Sequence, residues 1–558
     1  MVCEVPRLRL ETLPTVTGPL RRRTRPIYAP RRPLMPAFYP VSSAHTYLQD
    51  GRVLSPVKRA RLSVFRNDSQ PAKALLIRRD PFAKPIRGGI GKLQTPANLF
   101  LQKGGLFVDL IIKNGTIVTE KEMFKADIAV KDQKIAAIGA DLSDVKADKV
   151  VDATGKLVLP GAIDAHTHLA FPFGGTVSSD DFFAGTRAAA CGGTTMVFDY
   201  SGQKKGESFL ETVKRREAEA LEDGPAVDFA IHVGITDLSM LDTMQEAVDY
   251  GVSSFKVYMV YDFGVKDGDF YQVLQKSKEC GSLVCVHAEN NEVLTTLIKQ
   301  FADEGKLSPW YHYASRPEFV AGEASRRAIT WAKSLDAPLY IVHMSDKEGV
   351  EAVTKAKDEG LEIYMETCPH YLEFTRDVFK REDGRNFVCS PPMKGEESRQ
   401  ALWDAVKRGE IDTIATDHCP FQQSEKDWGK DDFRKIPNGC AGVENMYPYM
   451  LSAANKGEIT FPRAVEICCF NPAKIFGCTQ KGSLAVGKDA DIVIYDPNKD
   501  FTIHQSNMHS DSDHTIWEGI ECHGYPVQTY SRGRLVYDNG EFVGERGWGK
   551  MVKRAARK

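Results

Sequence analysis

The chain lacks several features that would place it in other classes of protein. No apolar run approaches the roughly 18 residues that a membrane-spanning helix needs. The 12 cysteines form no Cys-x-x-Cys pair, which argues against a zinc ribbon. No Gly-x-Ser-x-Gly motif offers a serine nucleophile. The formal net charge is −2, so the composition gives no electrostatic reason to expect nucleic-acid or membrane binding.

The cysteines are scattered along the chain, and several lie inside predicted buried strands. Thiols in such positions behave as small hydrophobic side chains, which is typical of proteins in a reducing compartment. We therefore expect a cytoplasmic protein.

Residues 1–105 differ in composition from the rest of the chain. They are rich in arginine and proline, poor in acidic residues and without sustained hydrophobic periodicity. This composition predicts a disordered basic leader. An organellar transit peptide is the functional alternative, because such peptides are also rich in arginine and poor in acids.

Beyond the leader, two regions of short strands flank a long region in which strands and helices alternate. Residues 106–157 and 479–540 have the strand and turn pattern of one small β-sandwich built from both chain ends. Residues 541–558 form a tail. The eight strand–helix units of residues 158–478 predict a (β/α)8 barrel of the TIM type, an α/β fold. Its strands are expected near 158–168, 194–200, 228–235, 253–261, 283–290, 338–345, 363–371 and 413–420.

Metal-type ligands stand at the ends of these predicted strands. Strand residues alternate between two faces, so His166 and His168 project on the same side. A parallel barrel gathers its strand ends at its carboxyl face, and imidazole and carboxylate are groups that zinc prefers. We therefore predict a metal-dependent enzyme with six site residues, His166, His168, Lys256, His287, His343 and Asp417.

Lys256 is the unusual member of this set, because lysine is almost never fully buried without a partner. Burial lowers the pKa of the amine and makes it nucleophilic. Such an amine can add carbon dioxide to give a carbamate, which can bridge two cations as a carboxylate does. Two cations about 3.5–4 Å apart can hold a bridging hydroxide and polarise a carbonyl, as hydrolysis of an unactivated amide requires. A salt-bridged lysine at a strand end is the alternative for Lys256.

These residues lie in motifs that resemble those of the cyclic amidohydrolases, specifically the dihydropyrimidinase and D-hydantoinase family. The resemblance covers the chain from about residue 107 to 550. It rests on residues 160–168, 192–195, 254–256, 286–289, 341–345, 366–372, 389–392 and 416–420.

The resemblance implies two Zn²⁺ per subunit, bridged by carboxylated Lys256 (N6-carboxylysine) and a hydroxide. One zinc ion would be bound by His166, His168, Lys256 and Asp417, and the other by Lys256, His287 and His343.

The resemblance also implies roles in catalysis and substrate binding. Asp417 would take the proton of the attacking hydroxide and return it to the departing ring nitrogen. Tyr261 would donate a hydrogen bond to the developing oxyanion. The backbone groups of Ser390 and Asn438 would hold the imide of the ring.

The segment after His168 bears on the substrate. Dihydroorotase-type and allantoinase-type enzymes resemble each other in having an arginine after the histidine pair, whereas residues 169–175 contain no cation. This apolar segment favours a cyclic ureide with an uncharged ring substituent, which is most consistent with dihydrouracil, dihydrothymine or a 5-substituted hydantoin. The family resemblance implies that dihydrouracil and dihydrothymine are opened to N-carbamoyl-β-amino acids in pyrimidine degradation. D-hydantoinase activity on 5-substituted hydantoins is the alternative.

A non-enzymatic scaffold is the rival from another functional class. The collapsin response mediator proteins resemble dihydropyrimidinase in fold but have lost the ligand set, whereas this chain keeps every ligand. Residues 547–550 resemble the family's tail, which packs on a neighbouring subunit. By that analogy we expect a homotetramer.

Removing residues 1–100 should leave catalysis intact, because the leader supplies no ligand and has no pattern able to bury a core. The measurement is metal content and ring-opening activity of the truncated and full-length proteins. A truncated protein that cannot fold or bind metal would contradict this prediction.

Overall fold

The structure is a computed structural model that describes residues 107–557. The predicted leader lies outside the described residues. Within residues 107–557, no helix is long and apolar enough to cross a membrane.

Eight parallel strands form the predicted barrel, and each is hydrogen-bonded to the next in sequence order. The ring closes where Thr167 pairs in parallel with His418, and the N–H of His168 donates to the carbonyl of His418 at 2.8 Å. The predicted (β/α)8 fold is confirmed. Its strands are Ala162–Thr167, Thr194–Gly202, Asp228–Gly234, Ser254–Tyr258, Leu283–His287, Leu339–Ile341, Ile363–Thr367 and Thr413–Ile414.

The single strand predicted over 158–168 is two strands in different parts of the molecule. Leu157–Pro160 pairs with Ile492–Asp496 in the sandwich, and Ala162–Thr167 opens the barrel. Gly161 lies between them, where an added Cβ would come within 2.2 Å of the Thr195 hydroxyl oxygen. Both strands are buried on both faces, so one apolar run passes through the junction and conceals the break.

The small sandwich contains two sheets, and the larger one mixes strands from both ends of the chain, as predicted. Its strands, in spatial order, are Glu541–Phe542, Arg534–Asp538, Tyr525–Ser531, Ile492–Asp496, Leu157–Pro160, Thr116–Val118 and Met123–Lys125. The smaller sheet contains Lys134–Gly139, Asp127–Lys131, Phe107–Lys113 and Lys146–Asp152. Ile112 and Val130 of the smaller sheet pack in one buried cluster with Val158, Ile494 and Val527 of the larger.

Helices follow most of the barrel strands, and local signals set their ends. The helix Phe209–Asp223 begins with a capping box between Ser208 and Glu211 and ends at Gly224, which has a left-handed conformation. The α-helices are Phe182–Cys191, Phe209–Asp223, Met244–Tyr250, Asp267–Cys280, Asn291–Asp303, Trp310–Ala314, Glu318–Leu335, Lys347–Asp358, Pro369–Glu373, Glu396–Arg408, Gln423–Lys426, Met446–Asn455, Phe461–Val465 and Asn471–Ile475.

The C-terminal tail packs against the barrel of its own chain. The N–H of Gly549 donates to the carbonyl of Pro225 at 2.8 Å, just before the third barrel strand. Further along, the buried guanidinium of Arg554 donates to the Ser254 hydroxyl at 2.7 Å and to the carbonyl of Ile231 at 2.6 Å. These bonds tie the tail to the amino end of the barrel, opposite the carboxyl ends of the strands.

Candidate active site

The residues predicted from the sequence all line one cavity at the carboxyl ends of the barrel strands. Alternation along the first strand directs His166 and His168 into it, and the other residues come from later strand ends and loops. The set that the structure brings together is His166, His168, Lys256, Tyr261, His287, His343, Ser390, Asp417 and Asn438.

The ligand-type atoms converge on Asp417. Its Oδ1 lies 3.2 Å from Nε2 of His166 and 3.0 Å from Nε2 of His168. Nζ of Lys256 lies 3.5 Å from the same nitrogen of His166. Ligand atoms of His166, His343 and Asp417 lie within 4.8 Å of one another. This spacing suits the ligands of one metal ion or of two adjacent ions.

Three of the site residues have a backbone conformation that side chains rarely adopt. The φ angles are 75° at Tyr261, 38° at His343 and 52° at Asp417. Such conformations cost free energy and persist where the surrounding structure imposes them, which occurs often at functional sites. The strained residues therefore lie in the same loops as the residues predicted to form the site.

Lys256 is 1% exposed, in agreement with the prediction of a buried lysine. Burial lowers its pKa to about 8, and its ammonium lies 4.7 Å from the centre of the Tyr200 ring. An amine with this pKa is partly neutral near pH 7, which is the form that reacts with carbon dioxide. The environment thus suits carboxylation of Lys256.

Burial also lowers the pKa values of the ligand-type histidines His166, His287 and His343. The imidazoles are therefore neutral at ordinary pH, which is the form that binds metal ions.

Two buried glutamates orient these histidines, and neither was predicted to have a role in the site. Oε1 of Glu366 lies 2.8 Å from Nδ1 of His166 and also accepts the N–H of His343 at 2.9 Å. Oε2 of Glu289 lies 2.8 Å from Nε2 of His287. Such carboxylates fix the tautomer and ring orientation of a metal-binding histidine. The role of Glu289 could have been predicted from its position, because it lies two residues after His287 and so on the same face.

The donors present fit a pair of divalent cations of the zinc type. The cavity is lined by imidazole nitrogens, a carboxylate and a lysine suited to carboxylation. Glu366 and Glu289 each contact one ring nitrogen of a histidine and leave its other nitrogen for a metal ion. The residues therefore fit the metal centre that the sequence predicts.

Polar groups and aromatic rings line the rest of the cavity. The amide Nδ2 of Asn438 donates to the Ser390 hydroxyl at 3.0 Å, which links the two residues predicted to bind substrate. Aromatic side chains border the opening, with the Phe173 and Tyr261 ring centres 5.5 Å apart and the Phe171 ring centre 4.8 Å from that of His168. Apolar walls of this kind exclude water from the reacting groups.

Glu366→Gln should weaken metal binding by about 10–100-fold, because an amide replaces the carboxyl group that contacts the His166 ring and accepts the His343 N–H. Competition with a chelator measures the affinity, and Glu351→Gln, at a side chain that is 63% exposed, is the control. An affinity equal to that of the wild type in a folded Glu366→Gln protein would show that Glu366 does not orient the ligand.

Comparison with known proteins agrees with this geometry. Residues 157–536 match the model of the amidohydrolase family, and residues 81–156 match that of the N-terminal domain of the urease alpha subunit. The chain is 40% identical over 455 residues to a D-hydantoinase of Ralstonia pickettii, covering 80% of this chain and 99% of the relative.

Solved structures agree as well. The crystal structure of dihydropyrimidinase from Brevibacillus agri NCHU1002 superimposes with a TM-score of 0.78 at 40% identity, covering 80% of this chain and 99% of that one. Because the family model spans more than half of the chain and the ligand-type residues converge in one cavity, the chain belongs to the amidohydrolase family.

Proposed function

We propose that this enzyme hydrolyses the cyclic amide bond of 5,6-dihydropyrimidines, converting dihydrouracil and dihydrothymine to N-carbamoyl-β-amino acids in pyrimidine degradation. The observation that carries the proposal is the complete set of ligand-type residues around one cavity, in a chain of the amidohydrolase family. The relatives named dihydropyrimidinase and D-hydantoinase support a cyclic amide as the substrate class.

The proposed metal centre contains two zinc ions and Lys256 in its carboxylated form. One ion would be held by His166, His168, Lys256 and Asp417, and the other by Lys256, His287 and His343. When bound, the ions supply a nucleophile at neutral pH and polarise the scissile carbonyl.

The protein's own groups bind the ring and move the proton. Asp417 lines the cavity beside His166 and His168, where its carboxylate can accept a proton from the attacking water and pass it to the departing ring nitrogen. The Tyr261 hydroxyl would donate to the oxygen on which negative charge develops. Backbone groups of Ser390 and Asn438 would hold the imide edge, since both residues line the cavity and contact each other.

The lining of the cavity favours an uncharged substituent on the ring. Within the described part of the chain, Lys256 is the only lysine or arginine that lines it, and the proposed carboxylation removes that positive charge. A substrate carboxylate would lie against Phe171 and Phe173 without a partner, which costs desolvation energy.

A second candidate is the hydrolysis of 5-substituted hydantoins. It is supported by the relatives named D-hydantoinase and by the aromatic opening of the cavity, where Phe263 is 41% exposed. Both rings present the same imide edge, so the two activities would share one site. On the family resemblance we also propose a cytoplasmic homotetramer, with organellar targeting by the leader as the alternative.

Dihydrouracil should be opened efficiently and dihydroorotate poorly, because no arginine follows His168 to pair with the carboxylate of dihydroorotate. The test compares kcat/KM for dihydrouracil, dihydroorotate and 5-phenylhydantoin under saturating zinc. Comparable values for the first two substrates would overturn the dihydropyrimidine proposal. A much larger value for the hydantoin would favour the second candidate.

Lys256→Ala should release both metal ions together and abolish activity, because it removes the proposed bridge. Partial rescue by added short carboxylic acids would support the carbamate. Metal analysis and ring-opening assays measure the effect, and Lys357→Ala, at the opposite end of the barrel, is a matched control. Full activity of the Lys256→Ala protein would exclude the bridging role.

A further inference from the structure

Another buried lysine, Lys426, contacts a segment that lines the cavity and has no role in the proposed metal centre. It ends the short helix Gln423–Lys426 and is 0% exposed. Its Nζ donates to the carbonyls of Val388 at 3.0 Å, Pro437 at 2.8 Å and Gly439 at 2.6 Å. An ammonium has three protons, whereas a neutral amine has two. Three main-chain acceptors therefore match the charged form.

These carbonyls belong to the two segments that carry the predicted ring-binding residues. Val388 lies two residues before Ser390, and Pro437 and Gly439 flank Asn438. The N–H of Gly439 also donates to the carbonyl of Val388 at 2.9 Å. Lys426 thus binds both segments at once from the side away from substrate, and its bonds set the spacing between Ser390 and Asn438.

The backbone N–H groups of Ser390 and Asn438 make no hydrogen bond within residues 107–557. They are therefore available to a ligand at the lining of the cavity. The N–H of Asn438 belongs to the same peptide group as the carbonyl of Pro437, which accepts from the Lys426 ammonium. A cation on that oxygen draws electron density through the peptide and strengthens the N–H as a donor.

We propose that Lys426 is a positioning residue for ring recognition: its ammonium holds the Ser390 and Asn438 segments in register and strengthens the Asn438 N–H as a donor to the imide. The inference rests on the proposed function, because it assumes that the ring of a cyclic ureide occupies this edge of the cavity. It assigns Lys426 to substrate binding and leaves metal binding and proton transfer to other residues.

The test uses Lys426→Met, which keeps the volume of the side chain but removes the charge and all three donors. Loss of a contact made equally to substrate and transition state raises KM and leaves kcat largely unchanged. We expect KM for dihydrouracil to rise about tenfold or more, with kcat within about threefold of the wild type. The content of bound metal, measured on the same preparations, should not change.

Lys357→Met is the matched control, because its Nζ also binds a main-chain carbonyl, that of Glu410 at 2.6 Å, but far from the cavity. It should have the KM of the wild type. Lys426→Gln keeps two donors without the charge and should give an intermediate KM. If Lys426→Met does not fold, Lys426→Gln carries the test.

The outcomes separate the two proposals. A wild-type enzyme that opens no cyclic ureide overturns the proposed function and this inference with it. Turnover by the wild type with an unchanged KM in the folded Lys426 variants overturns the role of Lys426 alone. A loss of metal that accounts for the change, or an equal rise of KM in Lys357→Met, also overturns it.

Discussion

The seam between the first and eighth barrel strands is the contact on which the site depends. The eighth strand, Thr413–Ile414, is only two residues long, so main-chain pairing alone holds it weakly. Buried Asp164 of the first strand completes the seam, because it accepts the N–H of Thr416 at 3.1 Å and the Thr416 hydroxyl at 2.5 Å. Asp417 follows directly, and His166 and His168 follow Asp164. Closure of the barrel at this seam therefore brings Asp417 to His166 and His168.

His418 extends the same seam outward, away from the cavity. Its Nε2 lies 3.0 Å from a carboxylate oxygen of Asp180, and its Nδ1 accepts the N–H of Gly442 at 3.1 Å. The other oxygen of Asp180 accepts the N–H of Asp511 at 2.8 Å. Both ring nitrogens of His418 are thus engaged in contacts with the protein. Asp417 is the neighbouring residue whose side chain lines the cavity.

Much of the fold could be predicted because its signals are local. Eight apolar runs are visible in the sequence, five of them carry ligand-type residues at or near their ends, and the barrel places these residues together. The orientation of His166 by Glu366 could not be predicted, because it joins residues 200 positions apart whose relative placement depends on the registers of several strands. The role of Lys426 could not be predicted either, since its three acceptors come from two separate loops. The path of the tail also depends on a surface that exists only once the barrel has formed.

The mixed sheet of the sandwich can form only after most of the chain has been synthesised. Leu157–Pro160 pairs with Ile492–Asp496, more than 300 residues further along the chain. A ribosome adding about 5–20 residues per second needs roughly 20–70 s to reach the partner strand. During that time the edge of the early strand is open to other chains. The nascent chain should therefore depend on chaperones to protect this strand edge, which is covered in the folded protein. The yield of folded protein should also change with the rate of translation.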